Sequence, residues 1–182
     1  IGITTILATP DYNEVVAMAD RAAILNKGHI EQIGTPIELF KHPENVVVAN
    51  SIGDPPINLL DCELKTENGE VKLSGDGFSV ICSSEMREKI DSFKGDEGLI
   101  LGIRPSDIEI IPGKGKGIID TEVYVFEPLG GEAVATLSAS KQRIKVTCSW
   151  EDKMNIGDAV SIRFDLSKVH LIKKKTGNAL SH

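Results

Sequence analysis

The sequence predicts a mixed α/β segment followed by a mainly β domain, and three observations carry that expectation. Residues 3–33 follow a strand, helix, hairpin pattern. Residues 58–172 hold ten short strand-like runs separated by turn residues, the spacing of a small barrel or sandwich. Between them lies Gly53-Asp54-Pro55-Pro56, the strongest punctuation in the chain. The expected boundary falls there, giving residues 1–53 and 54–182. At about 150 residues per domain, 182 residues make one domain and a remainder, or two small ones.

Ile3–Ala8 is short, apolar and rich in β-branched residues, and it predicts a buried strand. Thr9-Pro10-Asp11 breaks it. Asp11 followed by Glu14 is a helix-capping pattern that sets both carboxylates at the positive end of a new helix. Val15, Met18 and Ala19 give that helix one apolar face. Arg21–Asn26 and His29–Ile33 are strands joined by a Lys27-Gly28 turn. Thr35 caps a helix with Pro36 at its first position and Glu38 in its first turn, and His42-Pro43 stops it. Glu44–Ile52 is a further short helix with Val47, Val48 and Ile52 turned inward.

The expected strands beyond the boundary are 58–66, 70–73, 78–82, 99–104, 108–111, 117–127, 132–137, 143–148, 159–164 and 169–172. Asn68-Gly69, Asp76-Gly77, Pro112-Gly113 and Gly130-Gly131 suit tight reversals because they tolerate positive φ. One helix, Ser84–Phe93, interrupts them, with Met86, Ile90 and Phe93 on one side.

Composition excludes several function classes. With 41% apolar and 26% charged residues the chain is not an extended disordered polymer. Aromatics are only 4%, too few for a surface that stacks single-stranded bases. A net charge of −7 lacks the basic footprint of a nucleic-acid binder, so no nucleic-acid partner is expected. The charge is spread, −4 over residues 1–56 and −3 over the rest. Cys62, Cys82 and Cys148 are odd in number and far apart, and the four histidines are scattered. No zinc knuckle, redox couple or metal site is expected, and free thiols suit a reducing compartment. No apolar run reaches the roughly 18 residues of a membrane span. The chain starts without an initiator Met or a basic leader, as the interior of a larger protein would.

Several motifs occur in the order of one family. They are Thr4-Thr5-Ile6-Leu7-Ala8-Thr9-Pro10-Asp11, then Ala19-Asp20-Arg21, Ile24–Ile30, Gln32-Ile33-Gly34-Thr35-Pro36, and Phe40-Lys41-His42-Pro43. Together they resemble the end of an ABC transporter ATPase domain, a P-loop ATPase. Gly102–Ile108, Val125–Gly130, Gly157-Asp158, Val169-His170-Leu171 and Thr176–Leu180 resemble the C-terminal extension of that family's sugar-importer branch. This is the TOBE domain, an oligonucleotide-binding-fold-like barrel. The resemblance implies an intact subunit that uses ATP and Mg²⁺ to drive import of a sugar or related solute. That subunit would be cytoplasmic and peripheral on the inner membrane face, paired with a second ATPase subunit or copy and with transmembrane permease subunits.

The chain itself lacks the parts that hold nucleotide. Gly113-Lys114-Gly115-Lys116-Gly117 has neither P-loop spacing nor a hydroxyl after the lysine, and it reads as a basic hairpin tip. The signature motif and catalytic Glu of the family are missing too. No catalytic residue, cofactor or metal is therefore expected in this chain, and no ATP hydrolysis. Pro10 occupies the position of the family's histidine that contacts the γ-phosphate. Proline has neither a side-chain donor nor an N–H, so the resemblance implies impaired hydrolysis or a tolerated turn variant.

Candidate regulatory-loop residues are Arg104, Asp107, Glu127 and Gly130. Arg104-Pro105-Ser106-Asp107 reads as an anion site or as a structural corner. Glu127–Glu132 reads as a loop shaping a small regulatory ligand or protein contact, or as a glycine-relieved strand connection. Lys173-Lys174-Lys175 reads as a solvated end, and Trp150 as a partly buried edge residue. The rival to a regulatory, dimer-forming module is an oxyanion sensor of the molybdate or sulfate type, using donors such as Ser138-Ala139-Ser140-Lys141. A nucleic-acid barrel rests on fold alone.

Overall fold

The computed structural model describes residues 2–67, 69–91 and 98–180. Helix α1 spans Tyr12–Met18 and starts where expected, with the Asp11 carboxylate accepting the Asn13 N–H at 2.8 Å. Its inward face is Tyr12, Val15 and Ala19, whereas Met18 is 63% exposed. Strands β1 (Ala22–Asn26) and β2 (His29–Gly34) form an antiparallel hairpin. Lys27 at φ 48° and Gly28 at φ 84° make its turn. Helix α2 (Pro36–Lys41) carries a full capping box between Thr35 and Glu38. Helix α3 (Val46–Ser51) is capped by Asn45, whose side chain accepts the Val48 N–H. Leu39, Val48 and Ile52 are buried together, with Tyr12, Ala22, Ile24 and Phe40 around them.

All ten expected strands beyond residue 54 are present. They are β3 (Asn58–Glu67), β4 (Glu70–Gly75), β5 (Phe78–Ile81), β6 (Leu99–Ile103) and β7 (Ile108–Pro112). After these come β8 (Ile119–Pro128), β9 (Glu132–Ala139), β10 (Gln142–Ser149), β11 (Ala159–Phe164) and β12 (His170–Lys173). Helix α4 (Ser84–Asp91) buries Met86 and Ile90; Phe93 and Asn68 lie outside the described residues. Two five-stranded antiparallel sheets result, ordered β10-β9-β8-β11-β7 and β12-β6-β3-β4-β5. The first sheet curls, so that its edge strands β10 and β7 approach each other. One continuous core joins both sheets, from Leu60 and Leu73 through Leu101 to Ile144 and Ile162. The chain is thus mainly β with curled, half-barrel sheets and few helices, consistent with the expected barrel. An α/β ATPase fold is not evident in residues 2–53, which hold one hairpin and three short helices.

One expectation is corrected. Residues 3–8 form no strand, and Ile3, Ile6 and Leu7 are 72%, 94% and 57% exposed. A buried strand needs neighbours for its N–H and C=O groups, and nothing among the described residues pairs with this one. The lysine run is solvent-exposed at Lys174 and Lys175, as expected, and its backbone is at the same time tied down. The backbone N–H groups of Lys173 and Lys174 donate to Asn178 O and Gly98 O at 2.8 and 3.0 Å, and Lys174 Nζ pairs with Asp61 at 2.8 Å. The chain folds back here and bridges Ile172 to Ala179.

Candidate functional site

Pro10 is exposed at the break before α1. Its neighbour Asp11 is occupied as the helix cap. Arg104 and Asp107 share one 3-10 turn after β6, closed by the Asp107 N–H donating to Arg104 O at 3.0 Å. Pro105 fixes its first position and is buried. The two side chains part from there. Arg104 is 2% exposed and points into the helices. Its Nη1 donates to Ala49 O at 2.9 Å and to Ile52 O, and its Nη2 donates to Phe40 O at 3.0 Å. The guanidinium also lies 4.2 Å from the Phe40 ring centroid. Burial pulls its pKa down to about 10, which leaves it charged at neutral pH. Its Nε has no partner among the described residues.

Asp107 instead accepts Lys168 Nζ at 2.7 Å, and Lys168 also pairs with Asp165 at 3.7 Å. These residues line an open groove of about 300 Å³ with Ser106, Glu109 and Arg163. Arg163 is itself paired to Glu109 at 3.0 Å. Both cations of the groove are therefore matched by carboxylates, which removes the excess positive charge an oxyanion would seek.

Glu127 and Gly130 lie elsewhere, on the β8–β9 hairpin. Glu127 sits opposite Val134 and is exposed, and Gly130 takes φ 97° in a turn closed by Leu129 N–H to Glu132 O at 2.8 Å. A side chain at that φ is strained, which accounts for glycine there. The serines considered as oxyanion donors are both engaged. Ser138 Oγ accepts Arg143 Nη1 at 2.9 Å, and Ser140 Oγ donates to Asp76 Oδ1 at 3.0 Å.

The glycine-lysine loop is occupied by the chain's own carboxylate. The Gly115 N–H donates to Asp120 Oδ1 at 2.7 Å, and the Lys116 N–H to Ser161 Oγ at 3.3 Å. The Ser161 hydroxyl lies between Asp120 Oδ1 (2.8 Å) and Gly113 O (2.7 Å). Lys114 faces Glu122 at 3.5 Å. Two of the loop's N–H donors and the Lys114 ammonium are therefore matched within the chain, so the loop is not an open phosphate cradle.

Asp120 is held below the usual carboxylate range, first by the Gly115 N–H and then by Ser161. A carboxyl lowered in the folded state contributes stability above its unfolded pKa of about 4, and that contribution is lost as pH falls through the folded value. Asp120→Asn is therefore expected to lower the urea midpoint at pH 6, with the gap from the parent closing as the pH drops below about 4. A gap that stays constant from pH 6 to pH 2 would show that the carboxylate is not the acceptor that matters.

Sequence reasoning missed Asn58. It is 7% exposed and heads an alternating inward series with Leu60 and Cys62. Its Nδ2 donates to Lys145 O at 2.8 Å and Ile103 O at 3.3 Å, and its Oδ1 accepts the Lys145 N–H at 2.8 Å. One amide thus completes the free edge of β10 and ties the two sheets. A polar residue in the inward register of an apolar strand was the available signal.

The chain is 33% identical over 187 residues to the xylose/arabinose import ATP-binding protein XacK of Haloferax volcanii, covering 100% of this chain and 47% of that protein. It is 33% identical over 192 residues to the trehalose/maltose import ATP-binding protein MalK of Thermococcus litoralis, covering 99% and 49%. It is 33% identical over 199 residues to the multiple sugar-binding transport ATP-binding protein MsmK of Streptococcus mutans, covering 99% and 51%. The chain thus spans about half the length of the curated relatives it matches. No family model matches it. Among solved structures, the cytoplasmic molybdate-binding protein ModG in its molybdate-bound form aligns with a TM-score of 0.49 and 14% identity, covering 63% of this chain and 94% of that one. Along its whole length, then, the chain is a homologue of the ATP-binding subunits of sugar-importing ABC transporters.

Proposed function

We propose that this chain is the C-terminal half of the ATP-binding subunit of an ABC importer that takes up a sugar or related solute. The observation that carries the reading is the end-to-end match to import ATP-binding proteins about twice as long. In this reading residues 1–53 are the end of the nucleotide-binding domain, and residues 54–182 are a TOBE-type regulatory and dimerising domain. The surface supports the first part. Of the 14 exposed large hydrophobic residues among those described, nine lie within residues 3–37. Such a concentration marks a face that a complete domain covers. Residues 54–180 expose far fewer, Ile81 and Tyr124 on strands and Leu129, Trp150 and Ile156 in the turns between them, and these are available for the pairing of two copies.

Nucleotide and Mg²⁺ would belong to the other half of the subunit. The permease subunits would lie beyond it, with the whole assembly on the cytoplasmic membrane face. Pro10 stands at the γ-phosphate histidine position. Asp107, Glu127 and Gly130 are read as regulatory-loop residues, with Arg104 as the anchor of the first loop. Two measurements on residues 1–182 test the reading. Sedimentation equilibrium is expected to show a dimer, and an ATPase assay no turnover above buffer. A monomer at every soluble concentration would remove the dimerising role, and turnover by this chain alone would remove the division of labour.

A further inference from the structure

Helix α3 has only six residues, so most of its backbone groups need partners outside the helix. Two separate parts of the β region supply them. At the start of α3, the C-terminal segment contributes two bonds, Val46 N–H to Gly177 O at 2.8 Å and Ala179 N–H to Glu44 O at 2.9 Å. At its end, Arg104 on the β6 side binds the carbonyls of Ala49 and Ile52. The side chains divide in the same way. Ala49 is buried with Ile57 and Ile172 against the β strands, while Val48 and Ile52 pack with Leu39 of α2. Helix α3 therefore lies in two cores at once.

Arg104 is the contact that also reaches α2, through Phe40 O and the Phe40 ring. A cation at a helix C-terminus is favourable, and here it is buried against three carbonyls and the Phe40 ring, with no carboxylate bonded to it among the described residues. The forked guanidinium spans three carbonyls that a lysine ammonium, a single point on a flexible stem, cannot hold together. Gly53 makes room for it: at φ 115°, a Cβ there would sit 3.1 Å from Nη1.

We propose that Arg104 is a coupling pin. Residues 44–52 move as part of the β region; the hairpin is tied to them by Gln32 Oε1 and Glu31 Oε2, which accept the Glu44 N–H and the Asn45 amide at 2.9 Å, and α2 is held by its packing through Leu39 and by the guanidinium that bonds both helices, so that displacement of one region carries the other. Arg104 acts here as a positioning residue. The inference concerns this chain alone and stands whether or not the importer reading holds.

Hydrogen exchange on residues 1–182 tests it, comparing the parent with Arg104→Met and Arg104→Lys. In the Met variant, peptides covering 36–52 are expected to lose protection at least about tenfold, while strands within 119–164 keep theirs. The Lys variant is expected to fall between. Unchanged protection over 36–52 would overturn the proposal, and so would an equal loss throughout 119–164, which signals general destabilisation. If Arg104→Met does not fold, Phe40→Leu removes the ring that the guanidinium stacks on and leaves the Phe40 carbonyl in place, which weakens the α2 side of the pin alone. Peptides over 36–41 are then expected to lose protection while 44–52 keep it, and retention in both would overturn the proposal.

Discussion

Replacing Asn58 with aspartate is expected to cost about 3 kcal/mol or more at pH 7, although the two side chains are nearly the same shape. The amide nitrogen donates to two carbonyls, Lys145 O and Ile103 O. A carboxylate has no proton to give and turns a charged oxygen toward both, in a site that excludes water. Breaking the tie also leaves the edge of β10 without the partner that Asn58 supplies to both the N–H and the C=O of Lys145. The pH dependence separates charge from shape. Burial beside carbonyls raises the pKa of the introduced carboxyl in the folded state. The penalty is therefore smallest below the unfolded carboxyl pKa of about 4, where a protonated oxygen can still donate once, and it grows as pH rises through the folded value. Urea unfolding midpoints between pH 3 and 7 check this. A penalty that does not change with pH would show that the amide nitrogen is not the critical donor.

Gly117→Ala is expected to cost about 3 kcal/mol and to lower Tm by about 10 °C. Just before β8 the chain passes against β11, and the Ile118 N–H donates to Ile162 O at 2.7 Å. A Cβ on residue 117 would lie 2.3 Å from Ile162 O and 2.9 Å from Ile162 C and N. These are backbone atoms in a paired strand, and Ile162 is fully buried, so nothing flexible can yield. The same substitution at Gly131 meets nothing within 4 Å and should change stability by less than about 0.5 kcal/mol. Thermal unfolding of the two variants side by side checks the contrast. Equal Tm values would show that β8 can move off β11 at little cost.

Local chemistry explains why so much of the β architecture was legible. The alternation of Leu60 and Cys62 inward with Asp61 and Glu63 outward defines a strand whatever it pairs with. Thr35-Pro36 with Glu38 defines a helix start because the cap bonds lie within four residues. Ile3–Ala8 carries an equally strong local pattern, yet no strand forms, because strand pairing requires a second strand and the pattern contains no information about one. The candidate site divides along the same line. The corner at Arg104–Asp107 was visible as a turn, but its two side chains turn in opposite directions, toward partners 52 to 64 residues upstream in one case and 61 residues downstream in the other.

By itself the sequence determined the order of helices and strands from Tyr12 onward, their caps and turns, and the likeness to import ATP-binding subunits, all of which depend on neighbours a few residues apart or on motif order. Tertiary structure decided which polar groups are spent. Asp120 fills the glycine-lysine loop, Asn58 closes an edge of the curled sheet, Arg104 grips two helices, and the lysine run folds back onto Gly98 and Asp61. A hydrogen bond is satisfied by whatever donor or acceptor the fold brings within about 3 Å, and which one that is depends on the path of the whole chain.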